Sequence, residues 1–225
     1  MISFIVYSEL MIAFSLSVLL HAYVYKICSS YFTNTKISAN ILSTIHALIL
    51  SIYSVCALSY LNQHNFEYVR TLLMVLVLPF SAGYFLVDMY VWLVTIRGTL
   101  LNKIITLAHH GCALFLLYKV YTTNVYNTYP FICNYVLLTE ISTPFINFYH
   151  ITKHYSVPAF VATINKYIVI FLFLTVRVIG LSVVTLIYLF SQKFRFMYFS
   201  CLSLFALLNC FWFAKIWRMS KVENT

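Results

Sequence analysis

Seven stretches of mostly apolar sequence set the terms on which this chain can fold. They lie at about 2–25, 40–61, 71–95, 104–121, 130–150, 167–190 and 196–217. Most approach the ~20 residues a helix needs to cross the hydrocarbon core of a bilayer. In that medium every backbone N–H and C=O must be paired within the protein, which leaves helices or closed barrels. Apolar runs of this length, without period-two alternation, are helices. The expectation is an all-α, polytopic membrane bundle of about seven transmembrane helices, forming a single membrane domain over residues 1–225. Composition agrees: 8% of residues are charged, against roughly 25% in soluble domains, so a water-soluble globule is excluded. The first run lacks a basic leader region and continues past Ala13, so it reads as a first span rather than a cleavable signal. The six cysteines show no paired spacing, and neither a disulfide framework nor a zinc site is expected.

The formal charge of +9 does not point to nucleic acid, because the cations are scattered in ones and twos between apolar runs. They read better as the loop charge that orients a membrane protein. Seven spans put Arg70, Lys119, Lys193 and Arg195 on one side. They put Lys26, Lys36, Arg97, Lys103, Lys153, Lys166, Lys215, Arg218 and Lys221 on the other. The richer side is expected to be cytosolic, with the N-terminus lumenal and the C-terminus cytosolic.

Ionisable groups inside spans are rare and mark functional sites by default. Here they are Glu9, His21, His46, Asp88, His109, His110, Glu140 and Arg177. At about 1.5 Å per residue, His46, His109, His110, Asp88 and Asn209 all fall in the cytosolic half. Asn147 lies near that face, and Glu140 and Arg177 lie nearer the midplane. Random structural polar residues would not share a level, so a polar-floored cavity open to the cytosolic side is expected. Glu140, Thr143 and Asn147 fall on one helix face, with a kink expected at Pro144. Glu9 reads as reaching the interface. His21 and Tyr25 read as interfacial anchors, and His150 with His154 as a solvated surface pair.

Several blocks then resemble the TLC-domain family, which includes TRAM proteins and ceramide synthases. They are Ser43-Thr-Ile-His46-Ala47, Gly83-Tyr-Phe-Leu-Val-Asp88, Leu107-Ala-His109-His110, Leu138-Thr-Glu140-Ile-Ser-Thr-Pro-Phe-Ile-Asn147 and Asn209-Cys-Phe-Trp212-Phe-Ala-Lys215. They stand in the family's order over about residues 40–220, and the run around Pro144 is most similar to the small TLC domain-containing proteins of the TLC domain-containing protein 4 type. The resemblance implies a bundle in the endoplasmic reticulum with a role in lipid synthesis, sensing or homeostasis. In ceramide synthases the histidine pair is catalytic for N-acylation of a sphingoid base by acyl-CoA, which by position falls on His109 and His110. Where the ceramide synthase motif continues with a histidine–aspartate step and a second aspartate three residues on, this chain has Thr139-Glu140 and then Thr143. It is not a typical ceramide synthase in this respect.

Two functions follow. One is an integral membrane protein of lipid homeostasis that binds or senses a lipid or acyl chain, with His46, Glu140, Thr143, Asn147, Arg177, Asn209 and Trp212 lining the site. The other is an acyl-CoA-dependent acyltransferase in which His109, His110 and Asp88 are catalytic, an imidazole acting as base or nucleophile. No bound cofactor is implied; acyl-CoA would be a co-substrate, and membrane lipids or a sphingoid base the partners. Adjacent helix residues point about 100° apart, so one of His109 and His110 is expected to face the cavity and the other a neighbouring helix or the cavity wall, and the pair is not spaced to grip a metal. A polar-glue role is the third alternative, with Arg177 paired to Glu140 or Asp88. Seven histidines are too few for an eight-histidine di-iron enzyme. Minimal loops argue against a seven-span receptor, and the lack of repeats or paired broken helices argues against a transporter.

Overall fold

A computed structural model describes residues 2–60, 66–96, 99–123, 125–191 and 196–222, with side chains described within 8–218. The orienting cations Arg97, Lys193 and Arg195, and the side chain of Lys221, lie outside the described residues. Among the described residues every regular element is a helix, with no strand. Six helical runs are long and apolar enough to cross a bilayer. We label the crossings α1 (Ile2–Tyr31), α2 (Thr35–Tyr60), α3 (Phe66–Thr95), α4 (Leu100–Thr122), α5 (130–152), α6 (Ala159–Leu189) and α7 (Phe196–Val222).

The fifth crossing is discontinuous. Pro130 starts its first segment, Pro130–Leu138, a 3₁₀ turn spans Thr139–Ser142, and Pro144 sits in the first turn of Thr143–Thr152. Proline is pre-set for a helix start, where its missing N–H costs nothing. What proline chemistry predicted as a kink at Pro144 is thus a helix restart directly after a tightened segment. The difference matters, because the 3₁₀ turn leaves carbonyls and hydroxyls free to serve a neighbour.

α1, α4 and α6 overrun the apolar limits read from sequence. The overrun of α1 to Tyr31 corrects the reading of His21 as an interfacial anchor. His21 lies well inside the helix, is 2% exposed, and shares a 2.8 Å hydrogen bond between Nδ1 and the Ser17 carbonyl. Its ring packs on Phe80 and Tyr84 of α3. Glu9 is exposed near the start of α1, and the Tyr25 hydroxyl lies 3.4 Å from Thr95 Oγ1.

Helix neighbours form a ring. α2 packs on α5, α5 on α6, α6 on α7, α7 on α4, α4 on α3, and α3 closes back on α2, while α1 lies outside against α3 and α2. One half of the ring is filled. Leu50, Val69, Leu73, Leu78 and Tyr126 form one apolar cluster there, and Ile132, Val184, Tyr188, Tyr198 and Leu202 another. The other half, toward residues 36, 102, 154 and 215, holds an open chamber. Three π-helical stretches interrupt the α-helices, at Leu73–Val77, Val91–Thr95 and Phe173–Gly180. Such wide turns recur at functional sites.

The outer helix seats on α3 through Gly83. A Cβ there would collide with the Ser17 side chain and stand 2.8 Å from the Val18 nitrogen, which is backbone and cannot yield. Gly83→Val is expected to destabilise the bundle by about 2 kcal/mol, the ordinary cost of overpacking. A thermal melt of the detergent-purified variant checks this; an unchanged melting temperature would show that α1 is not packed this closely.

Candidate functional site

Each ring helix lends a stripe of one face to the chamber. From α4 come Asn102, Ile105, Thr106, His109 and His110, spaced i, i+3, i+4, i+7, i+8, which is a single helical face. From α6 come Lys166, Val169, Ile170, Phe173 and Arg177. The same logic brings Tyr84, Phe85, Asp88 and Trp92 from α3, and Trp212, Lys215 and Ile216 from α7. The chamber has a volume of about 480 Å³, within the range of small-molecule sites.

Both imidazoles reach it. His109 and His110 are each 7% exposed, with ring centroids 5.5 Å apart. Adjacent positions point about 100° apart, and the two rings accordingly turn to different neighbouring helices while both line the chamber. α4 stands between α3 and α7, so a 100° difference turns one ring to each neighbour without leaving the chamber wall. His110 turns to α3, its Nδ1 3.5 Å from Asp88 Oδ2, close enough for charge attraction but not aligned as a hydrogen bond. His109 turns to α7 and packs on Phe205 and edge-on to Trp212, with its Nδ1 buried and without a hydrogen-bond partner.

The wall opposite is a polar knot around Arg177. Its Nε donates to the Thr139 carbonyl (2.9 Å) and to Ser142 Oγ (2.7 Å). One terminal nitrogen donates to Thr143 Oγ1 and lies 3.3 Å from Glu140 Oε2, and the other lies 3.5 Å from Asn209 Oδ1. Thr143 in turn donates to Glu140 (2.6 Å). Of the two acids open to Arg177 from sequence, the structure selects Glu140. The 3₁₀ turn of α5 explains the fit, since it presents the Thr139 carbonyl and the Ser142 hydroxyl together.

Two expected site residues stand behind the lining. His46, 1% exposed, is stacked on Tyr84 with centroids 3.8 Å apart, and it is Tyr84 that meets the chamber. Asn209, 1% exposed, supports Arg177 and donates to the Phe205 carbonyl. Asp88, His109, His110, Glu140, Thr143, Asn147, Arg177 and Trp212 all line the chamber. Asn147 also ties α5 to α2, donating to the Asn40 carbonyl and to Thr44 Oγ1, both at 3.0 Å. His150 and His154, read from sequence as a solvated surface pair, are exposed but sit at the chamber's mouth with Lys36, Lys153, Lys166 and Lys215. Extending the i, i+3, i+4 stripes outward from Arg177 and Trp212 reaches Lys166 and Lys215, so helical periodicity carried that signal. Among the described residues no group of three His, Cys, Asp or Glu is placed to hold a metal ion.

Residues 36–218, well over half the chain, match the TLC domain. The chain belongs to the TLC-domain family. No curated protein and no solved structure matches it. The TLC-domain match runs over the six ring helices, from the first turn of α2 to Arg218 in α7, and leaves out α1, none of whose described side chains lines the chamber. TLC membership and the helical bundle make this a membrane protein of lipid biology.

A buried guanidinium left without its carboxylate, or the reverse, costs about 3–5 kcal/mol. Arg177→Met should therefore destabilise the bundle by about 3 kcal/mol. Arg177→Met with Glu140→Met together should destabilise less than the sum of the single variants, since partners in one network couple. Unfolding in mixed micelles measures all three; additive losses would show that the two groups do not interact.

Proposed function

We propose that this TLC-domain protein binds a lipid or acyl chain in the chamber, with the mouth toward the cytosol, and acts in membrane lipid homeostasis. The observation that carries the reading is the asymmetry of the ring: one half is packed shut with apolar side chains, while the other keeps about 480 Å³ open with two imidazoles at its wall. A protein that needed polar residues only as glue between helices would gain from closing that space, because interiors pack densely. Aromatic walls from Tyr84, Phe85, Trp92, Phe173 and Trp212 suit an acyl chain. The cation-rich side of the chain supports a cytosolic mouth. The small TLC domain-containing proteins and the endoplasmic reticulum are the relatives and membrane this reading favours.

A second reading is favoured by one contact, the 3.5 Å approach of Asp88 to His110. A carboxylate beside an imidazole orients it and stabilises its charged form. In an acyl transfer from acyl-CoA, an amine would attack the thioester carbonyl, forming the C–N bond as the C–S bond breaks. The imidazole of His110 would take the amine's proton and return it to the departing thiolate, with His109 beside the acyl carbonyl. Glu140, held in the knot with Arg177, would be structural in this scheme.

The two readings separate in one experiment. The protein is purified into lipid nanodiscs, and tightly held lipids are identified by mass spectrometry, with acyl-CoA turnover assayed in parallel. Binding predicts a retained lipid that is lost in Ile146→Trp, which fills the chamber, with no turnover. Transfer predicts turnover that falls at least about 100-fold, the usual contribution of a positioned base, in His110→Ala. A folded protein with no retained lipid and no turnover would overturn both.

A further inference from the structure

Two thiols meet on the seam between α4 and α7. The two helices run antiparallel, and two contacts set their register. The His109 ring packs on Phe205, with centroids 4.6 Å apart. About two turns further along α4, Leu116 packs with Tyr198 and Leu202. Between these contacts, one turn on from His109 brings Cys112, and one turn back from Phe205 brings Cys201. The side chains of Cys112 and Cys201 are hydrogen-bonded to each other across the seam. Both are free thiols and half-buried. Neither lines the chamber or the small apolar pocket beside Leu116, Tyr198 and Leu202. Cys201 shares its helix stripe with Met197 and Leu204, which are 45% and 39% exposed, so the pair stands at the lipid edge of the seam. Spacing along the chain does not reveal it, because the partners come from different helices. Neither reading of the chamber uses it.

We infer that Cys112 and Cys201 form an oxidisable dithiol that reacts with lipid peroxyl radicals and closes to a disulfide, tying α4 to α7 one turn from His109. The setting selects the oxidant. Attack on a peroxide and thiol–disulfide exchange proceed through thiolate, and a thiolate here would be an isolated charge in an apolar seam, which is costly. Transfer of a hydrogen atom moves no net charge, and peroxyl radicals form on the acyl chains that border the seam. In each transfer a sulfur–hydrogen bond breaks as an oxygen–hydrogen bond forms, so two peroxyl radicals become two lipid hydroperoxides. The two thiyl sulfurs then couple to form the sulfur–sulfur bond. The first thiyl sulfur is held beside its partner until a second radical takes the remaining hydrogen, which a solitary cysteine cannot offer. The bond fixes α4 against the helix that carries Phe205 and Trp212, both packed on the His109 ring, and so stiffens one wall of the chamber whatever the chamber holds.

The test uses the full chain in nanodiscs of polyunsaturated phosphatidylcholine with a lipid-soluble azo initiator in air. Free thiols are alkylated, peptides are mapped by mass spectrometry without reduction, and thermal unfolding is followed in parallel. The same initiator under argon, which yields no peroxyl radicals, and aqueous hydrogen peroxide are the comparison oxidants. The variants are Cys112→Ser, Cys201→Ser and the control Cys56→Ser/Cys210→Ser, which removes two exposed thiols. The inference predicts a Cys112–Cys201 linked peptide in air, in the parent and the control, that is lost under argon, with aqueous peroxide and in either single variant. Oxidation in air should raise the melting temperature of the parent by about 5 °C or more, as a long-loop disulfide gives, and a phosphine should reverse the rise. The single variants should melt like the unoxidised parent with or without initiator, which also shows that they are folded. Accumulation of lipid hydroperoxides with both thiols still free would overturn the inference, as would oxidation spread evenly over the six cysteines. A link that forms equally well under argon or with aqueous peroxide would overturn the radical route.

Discussion

A guanidinium in the middle of a membrane bundle cannot be left alone, and the structure is organised around that demand. Arg177 is 5% exposed, in a setting where an unpaired charge is among the most expensive things a protein can hold. Its donors point in several directions at once, so one partner does not suffice. They are met by a carboxylate, two hydroxyls, a carbonyl and an amide oxygen from α5 and α7. Serving Arg177 requires α5 to break, because a continuous α-helix would have used the Thr139 carbonyl internally. The 3₁₀ turn at Thr139–Ser142, the proline restart at Pro144 and the π-helical stretch that carries Arg177 are thus parts of one solution.

That solution also keeps the ring open. With α5 and α6 clasped by a polar knot near mid-depth, the two helices do not collapse onto α3 and α4 in the half beyond it. The histidines of α4 are left looking across a chamber rather than into a packed interface. The wide turn at Val91–Thr95 begins three residues after Asp88, which faces His110 from the next helix. Buried polar groups that in a soluble protein would read as liabilities here set the distance between helices, and the distance makes the cavity.

Much of this was legible in the chain. The spans follow from hydrophobic length alone, and the shared level of His109, His110, Asp88 and Asn147 follows from counting residues along helices. What was not legible depended on packing in three dimensions. His46 has the right depth, but Tyr84 intervenes, and no count along α2 reveals a ring from α3. His21 was misread because polar residues near Tyr31 masked how far α1 extends. The choice of Glu140 over Asp88 for Arg177 turned on the unpredicted 3₁₀ segment. The lysines at the chamber's mouth were dissolved into a tally of loop charges, which erases the difference between lysines that face one opening and lysines that do not.

The central claim, that the open half of the ring takes an acyl chain, is tested most directly by labelling from within. A fatty-acyl probe carrying a diazirine near its terminal carbon is incorporated into nanodiscs with the protein, photolysed, and its adducts are mapped by peptide mass spectrometry. The account predicts adducts on chamber walls such as Phe85, Ile146, Phe173 and Trp212, suppressed by excess unlabelled chain. Adducts confined to outward-facing residues such as Leu19, Ile52 and Phe171, which are 66%, 64% and 65% exposed, would contradict it.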